Sequence, residues 1–132
     1  MKHHVSGKKL GRSRQLRQSL FKSLASGFII HGQIETTSAK AKAVRPIIEK
    51  LAGLAKKNSL PSRRRLQSFL QNQSVVNKLL TQVAASSRSS GFTRLIHTGI
   101  RHGDRARLSR LEWTDLLPSV PSVPSVPSAS TP

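Results

Sequence analysis

The sequence has no cysteine, no tyrosine and a single tryptophan in 132 residues. Without cysteine there is no disulfide framework and no thiolate metal site. A reducing compartment is compatible with that lack. The aromatic residues stop at Phe21, Phe28, Phe69, Phe92 and Trp113. A core must therefore be built from Leu, Ile, Val and Ala, and stacking of single-stranded bases on aromatic rings is a poor main mode of binding. No apolar run nears the roughly 18 residues of a membrane span. There is no glycine-rich phosphate loop, no metal-ligand spacing and no nucleophile triad, so no cofactor, metal, catalytic residue or small-molecule substrate is expected. Acid is scarce everywhere and absent at the start: residues 1–34 contain seven Lys or Arg and no Asp or Glu.

What is present is positive charge. The chain carries 23 Lys and Arg against 5 Asp and Glu, a formal net charge of +18. The excess is +7 over residues 1–34, +4 over 35–60, +5 over 61–91 and +2 over 92–117, and the last fifteen residues are uncharged. A segment that repels itself and holds no internal acid calls for a polyanion. Residues 1–31 are also Arg- and Ser-rich and acid-free, which fits a removable transit peptide as well as a retained arm.

Three regions follow from the pattern. Residues 1–12 have no period and read as an extended basic arm. Residues 13–117 suit one small domain, which can bury roughly two thirds of its unfolded surface. From Pro118 the chain repeats Pro-Ser-Val, which can build neither a core nor a ladder and reads as a polyproline-like or disordered tail.

Within the body, Leu16, Leu20, Leu24 and Phe28 mark one face of a helix, with Ser13 at its start and Gly32 at its stop. Gly27 inside that helix costs roughly 1 kcal/mol against Ala and points to a close contact there. Gln33–Thr37 reads as a brief strand. Ser38 can cap a second helix running to about Lys57, in which Pro46 is expected to kink or split the helix near Lys42. Leu60-Pro61 restarts a third helix. Ser74 is placed to cap a fourth, through Val83. Residues 84–91 form a loop. Phe92–Thr98 and Leu108–Thr114 then read as two strands of a hairpin with a long basic connection. Helices first and a small sheet last make an α+β layered domain.

The cations gather in places suited to phosphate. Lys2, Lys8, Lys9, Arg12, Arg14 and Arg17 lie on the arm or the first helical turn, where folding onto RNA releases counterions. Lys40 and Lys42 sit near the N-terminus of the second helix, and Arg63-Arg64-Arg65 opens the third; helix N-termini already favour anions. The hairpin supplies Arg94, Arg101, Arg105 and Arg107. His97, His102 and Asp104 invite a nuclease site, but one carboxylate beside cations is a poor divalent-metal site and no nucleophile pairs with it. A helix-turn-helix over the third and fourth helices would make the chain a DNA-binding protein, yet residues 74–84 hold only Lys78 as a cation, where a recognition helix needs more.

In order and at spacing, several stretches resemble the seventeenth large-subunit ribosomal protein family of bacteria. They are Met1-Lys2-His3, Gly7-Lys8-Lys9-Leu10 and Arg12; Arg17-Gln18 with Leu20-Phe21; Ile34-Glu35-Thr36-Thr37 and Ala39-Lys40-Ala41-Lys42; and Gly91-Phe92-Thr93-Arg94 with Arg101 and Gly103-Asp104. The resemblance covers about residues 1–115 and includes the first residues as mature protein, which favours a retained arm over a transit peptide. It implies an α+β fold of about four helices on a small mixed three-stranded sheet. It implies binding of large-subunit rRNA on the solvent side near the polypeptide exit, beside other ribosomal proteins, on a cytoplasmic or organellar ribosome. It carries RNA contact onto Lys2, His3, Lys8, Lys9, Arg12, Arg17, Lys40, Lys42, Arg94 and Arg101. Arg14, Arg63, Arg64 and Arg105 join them from charge and position alone. Leu16 stands where the family usually has His, Ser90 replaces the first of two loop glycines, and Trp113 takes a usually aliphatic position. The expected protein is a structural, non-enzymatic RNA-binding constituent of the large subunit.

Overall fold

The computed structural model describes residue 3 and residues 7–115. The Pro-Ser-Val tail and Lys2 lie outside the described residues. Four helices come first: α1 (Arg14–His31), then, after strand β1 (Gln33–Thr37), α2 (Ser38–Lys57), α3 (Leu60–Leu70) and α4 (Gln73–Ala85). Strands β2 (Thr93–Ile100) and β3 (Arg107–Trp113) close the body. The class is α+β, as expected.

The sheet order is β1-β3-β2, and both pairings are antiparallel. The expected mixed sheet is thus corrected. β1 and β2 run in the same direction, but β3 lies between them and separates what would have been the parallel pair. Its register sets Ile34 against Leu111 on one side and Leu95 against Leu111 on the other. A bulge between His97 and Gly99 shifts the pairing near the far end of β2.

Burial on β3 alternates, with Ser109, Leu111 and Trp113 inward, which is the period of a sheet with one covered face. That inner face meets Ala25, Phe28 and Ile29 of α1 and Val44, Ile48 and Leu51 of α2 in a single core. Leu66 and Leu70 of α3 and Val75, Val76, Leu79 and Val83 of α4 complete it. Phe28 and Trp113 pack ring on ring, centroids 4.6 Å apart and tilted by 51°, within the favourable range for an aromatic pair.

Several local expectations are revised. The buried line of α1 runs through Ala25, Phe28 and Ile29, not through Leu16, which is 63% exposed. The first turn of α1 lies outside the core, so its apolar residue has nothing to cover it. Gly27 has no close neighbour: a Cβ built there meets no heavy atom within 4 Å. α2 runs unbroken through Pro46. The loss is one backbone hydrogen bond, and buried Val44 and Ile48 on either side hold the helix to the core. Ser38 does not cap α2; it is its first residue, and its hydroxyl meets Ser109 Oγ at 2.5 Å. The cap of α4 is Asn72, whose Oδ1 accepts from Ser74 N at 3.0 Å. Gly32 stops α1 as expected, at φ 78° with its N–H bonded to Phe28 O.

Candidate nucleic-acid interface

The arm does not simply extend. Arg12 N donates to Lys9 O at 3.1 Å, and the two residues between, Leu10 and Gly11, have φ of 54° and 63°. Two successive positive φ angles are the mark of a type I′ turn. Arg17, one turn into α1, donates from its guanidinium to Arg12 O at 3.3 Å and braces the turn against the helix. Residues 7–9, just before the turn, lie against α1 and α2.

A groove of about 650 Å³ results, lined by Lys8 and Lys9 of the arm, Arg17 and Phe21 of α1, and Lys42, Ala43, Pro46 and Ile47 of α2. Four cations from three segments meet around an apolar floor, with no acid in the lining. Like charges this close repel, so a bound anion gains from all four at once. Pro46 contributes an exposed ring to this floor, a role that helix-breaking arithmetic alone does not suggest.

The other residues assigned from sequence divide into groups. His3 is exposed, and Arg12 and Arg14 are exposed at and just after the turn. Lys40 is half-buried in the first turn of α2, which holds no acid. Arg63 and Arg64 line a separate cleft of about 210 Å³ between α3 and α4, with Gln67, Gln73 and Asn77. Arg65 takes no part in it, and Arg63 is tied by its Nε to Asn58 Oδ1 at 2.9 Å. Arg105 is exposed in the hairpin loop at φ 51°. Arg94 and Arg101 are already engaged: Arg94 pairs with Glu112 at 2.5 Å, and Arg101 with Asp104 at 2.6 Å.

Those pairings belong to a wider segregation. All five acids make contacts within the protein. Glu35 accepts from Thr98 Oγ1, Glu49 from Thr93, Asp104 from Arg101, Glu112 from Arg94, and Asp115 from Ser86 and Arg88. Their partners stand on the β2–β3 hairpin or the loop before it. The hydrogen bond from Ser86, with Arg88 beside it, holds the Asp115 carboxyl below the usual carboxylate range. The Arg101 side chain and the Ala106 amide hold Asp104 down to about 2. The described arm and helices α1, α3 and α4 contain no acid at all. Acid shapes the sheet end of the molecule, while the arm and the outer helix faces keep their positive charge.

A family model described as Ribosomal protein L17 matches residues 20–114. The chain belongs to this family. The large ribosomal subunit protein bL17 of Geotalea daltonii is 42% identical over 114 residues, which cover 85% of this chain and 63% of that protein. Those of Desulfotalea psychrophila and Paramagnetospirillum magneticum are 40% and 41% identical and are covered over 88% and 84% of their length. The chain thus spans less than two thirds of the Geotalea protein and most of the other two.

Membership of the L17 family gives the chain a structural place in the large ribosomal subunit, not an enzymatic one. His97 Nδ1 lies 3.0 Å from Ser109 Oγ, and Asp104 is occupied by Arg101, so neither is poised toward a substrate. Among the described residues no group of three metal-ligating side chains converges, and no helix is long and apolar enough to cross a membrane. As for a DNA-reading helix, α4 buries Val75, Val76, Leu79 and Val83, and its one cation, Lys78, donates to Ile30 O at 2.6 Å. Its exposed face, Gln73, Ser74, Asn77 and Thr81, therefore offers no uncommitted cation toward a DNA backbone.

Lys50 and Lys57, both exposed, were not among the residues assigned from sequence. They follow Lys42 on α2 at helical spacing, and that spacing was the available signal.

Proposed function

We propose that this L17-family chain binds and stabilises large-subunit rRNA, with residues 1–12 as the arm, residues 13–117 as the body, and the arm–α1–α2 groove as the primary contact. The observation that carries this reading is the meeting of Lys8, Lys9, Arg17 and Lys42 in one acid-free groove. Phosphate contacts position a protein on folded RNA, and shape rather than base identity is the feature such a groove can read. Arg12, Arg14, His3 and Lys2 extend the footprint along the arm. Lys40, Arg63, Arg64 and Arg105 offer outlying contacts. Arg94 and Arg101 bind RNA with the half of their surface that their ion pairs leave open. The family resemblance supports a position on the solvent side near the polypeptide exit, touching neighbouring ribosomal proteins, on a cytoplasmic or organellar ribosome.

The test is the salt dependence of binding to a large-subunit rRNA transcript. Lys8→Ala with Lys9→Ala lowers the slope of log K against log salt by about 2, roughly 0.9 for each phosphate no longer neutralised. A slope equal to that of the unaltered chain removes the groove from the RNA contact.

A further inference from the structure

The outward face of α2 carries a second basic groove that no sequence motif marks. It measures about 600 Å³ and is lined by Lys50, Gly53, Leu54 and Lys57 of the helix and by Ser87 and Ser89 of the α4–β2 loop. Two further cations in its lining are already committed: Lys56 Nζ donates to Ser86 O at 2.6 Å, and Arg88 pairs with Asp115 at 2.6 Å. Lys50 and Lys57 have no such partner among the described residues.

Gly53 is the informative residue. It sits inside α2, where glycine is worse than alanine because it loses more backbone freedom on folding. A Cβ built there meets no heavy atom within 4 Å, and its backbone is ordinary helix. Neither conformation nor packing among the described residues calls for glycine. What it does is leave the helix backbone bare on the groove floor, the arrangement that lets another backbone come close. The groove also lies on the same side of α2 as the first. Ala43, Pro46 and Ile47 of one and Lys50, Gly53, Leu54 and Lys57 of the other recur every three or four residues, so they share one face of α2. From Lys42 to Lys57 that face is about 22 Å long.

Resting on the rRNA-binding reading above, we propose that this second groove is a further RNA-backbone site, where a ribose-phosphate run crosses α2 at Gly53 and its phosphates meet Lys50 and Lys57. The chain's own residues 118–132 are the nearest rival occupant, since Asp115, shortly before them, pairs with Arg88 of the groove lining. They carry no charge and leave both lysines unneutralised, whereas a phosphate run neutralises them.

Gly53→Ala separates fold from function because it raises helix propensity without a clash. The expected result is a higher melting temperature together with about tenfold weaker binding to a large-subunit rRNA transcript, the scale of blocking one close backbone approach. Lys50→Ala with Lys57→Ala lowers the salt slope by about 2, independently of the Lys8 and Lys9 change. Because the chain has no cysteine, Ser89→Cys can carry a tethered hydroxyl-radical source, and cleavage of the bound transcript at discrete nucleotides is expected. Unchanged affinity in Gly53→Ala, or an uncut transcript, overturns the proposal. So does a Gly53→Ala defect that vanishes when residues 118–132 are deleted, which makes the tail the occupant. If the Lys8 and Lys9 change flattens the slope and the Lys50 and Lys57 change does not, only the second site fails.

Discussion

Glu49 grips Thr93 with a single oxygen: Oε1 accepts from Thr93 N at 2.7 Å and from Thr93 Oγ1 at 2.6 Å. Oε2 accepts from Phe92 N at 3.1 Å, and Arg45, one helical turn earlier, donates to Thr93 O at 3.1 Å. Thr93 and Phe92 are buried. One carboxylate on α2 therefore fixes the point at which the chain enters the sheet after its Ser-rich loop. Removing it strands two backbone donors that water cannot readily reach. Glu49→Ala is expected to cost about 2–3 kcal/mol, and Glu49→Gln about 1 kcal/mol, since the amide keeps one acceptor without the charge. Urea unfolding of the three proteins measures this; equal midpoints for wild type and Glu49→Ala would show that the clamp is incidental.

The hairpin tip depends on pH in a defined direction. Asp104 accepts from Arg101 Nε at 3.0 Å, from its terminal nitrogen at 2.6 Å, and from Ala106 N at 3.2 Å. These bonds favour the charged carboxylate and lower its pKa from 3.8 to about 2. A group whose folded pKa is depressed contributes above its unfolded pKa, and the contribution is lost as pH falls through the folded value. The tip is thus expected to be fully ordered above about pH 4 and to loosen between pH 4 and 2. The carboxyl-carbon shift of Asp104 and the exchange rate of the Ala106 amide follow this by NMR. Asp104→Asn abolishes the transition at that amide, and a titration centred near 4 in the intact chain contradicts the pairing.

The helices were legible because their apolar residues recur at helical spacing and their ends carry Gly32 and Pro61 where such residues belong. The antiparallel hairpin was legible from the alternation through Leu111 and Trp113. The strand order was not, because the five residues of β1 fix no partner by pattern and β3 comes late in the chain. Nor was the role of the acids. Glu49 looks like one more surface charge until β2 is folded back onto it. The cations were easy to count and harder to sort. Arg94 and Arg101 resemble Lys8 and Lys9 in sequence, yet Arg94 pairs with Glu112, which only the fold brings beside it, and Arg101 pairs with Asp104 three residues on. Composition shows how much charge is unbalanced, and only the fold shows where.

The turn at residues 9–12 presents Lys8 and Lys9 to the groove, so it is expected to matter for binding more than for stability. Gly11 has φ 63°, and a Cβ there meets nothing within 4 Å. The obstacle to substitution is conformational alone. Gly11→Val forces a β-branched residue into the left-handed region at a cost of about 1–2 kcal/mol, carried by a surface turn that is free to open instead. The melting temperature stays within about 1 °C while rRNA affinity falls, because a surface turn lies outside the cooperative core. A parallel fall in both would place the turn inside the folding unit.

Trp113 closes the core against Phe28, and it is the chain's one tryptophan. Its ring is buried, although the indole Nε1 has no hydrogen-bond partner among the described residues. Trp113→Ala opens a large cavity between the sheet and α1 and is expected to cost about 3–5 kcal/mol. Trp113→Phe retains the aromatic pair and discards the unsatisfied donor, so its cost is expected to be about 1 kcal/mol. Thermal melts followed by circular dichroism rank the three, and an alanine variant as stable as the phenylalanine one would mean that the ring pair contributes little.

The Pro-Ser-Val tail is expected to be dispensable for both folding and subunit incorporation. Residues 118–132 bring no charge, so their removal leaves the counterion release of RNA binding unchanged and the salt slope with it. The last tether of the described body, Asp115 to Arg88 and Ser86, lies before the cut and survives it. A chain ending at residue 117 should therefore melt at the temperature of the full protein, bind the rRNA transcript with the same slope, and co-sediment with large subunits. Incorporation that fails while melting and RNA binding are intact would assign the tail a protein partner, because neither core packing nor phosphate neutralisation would be left to account for the loss.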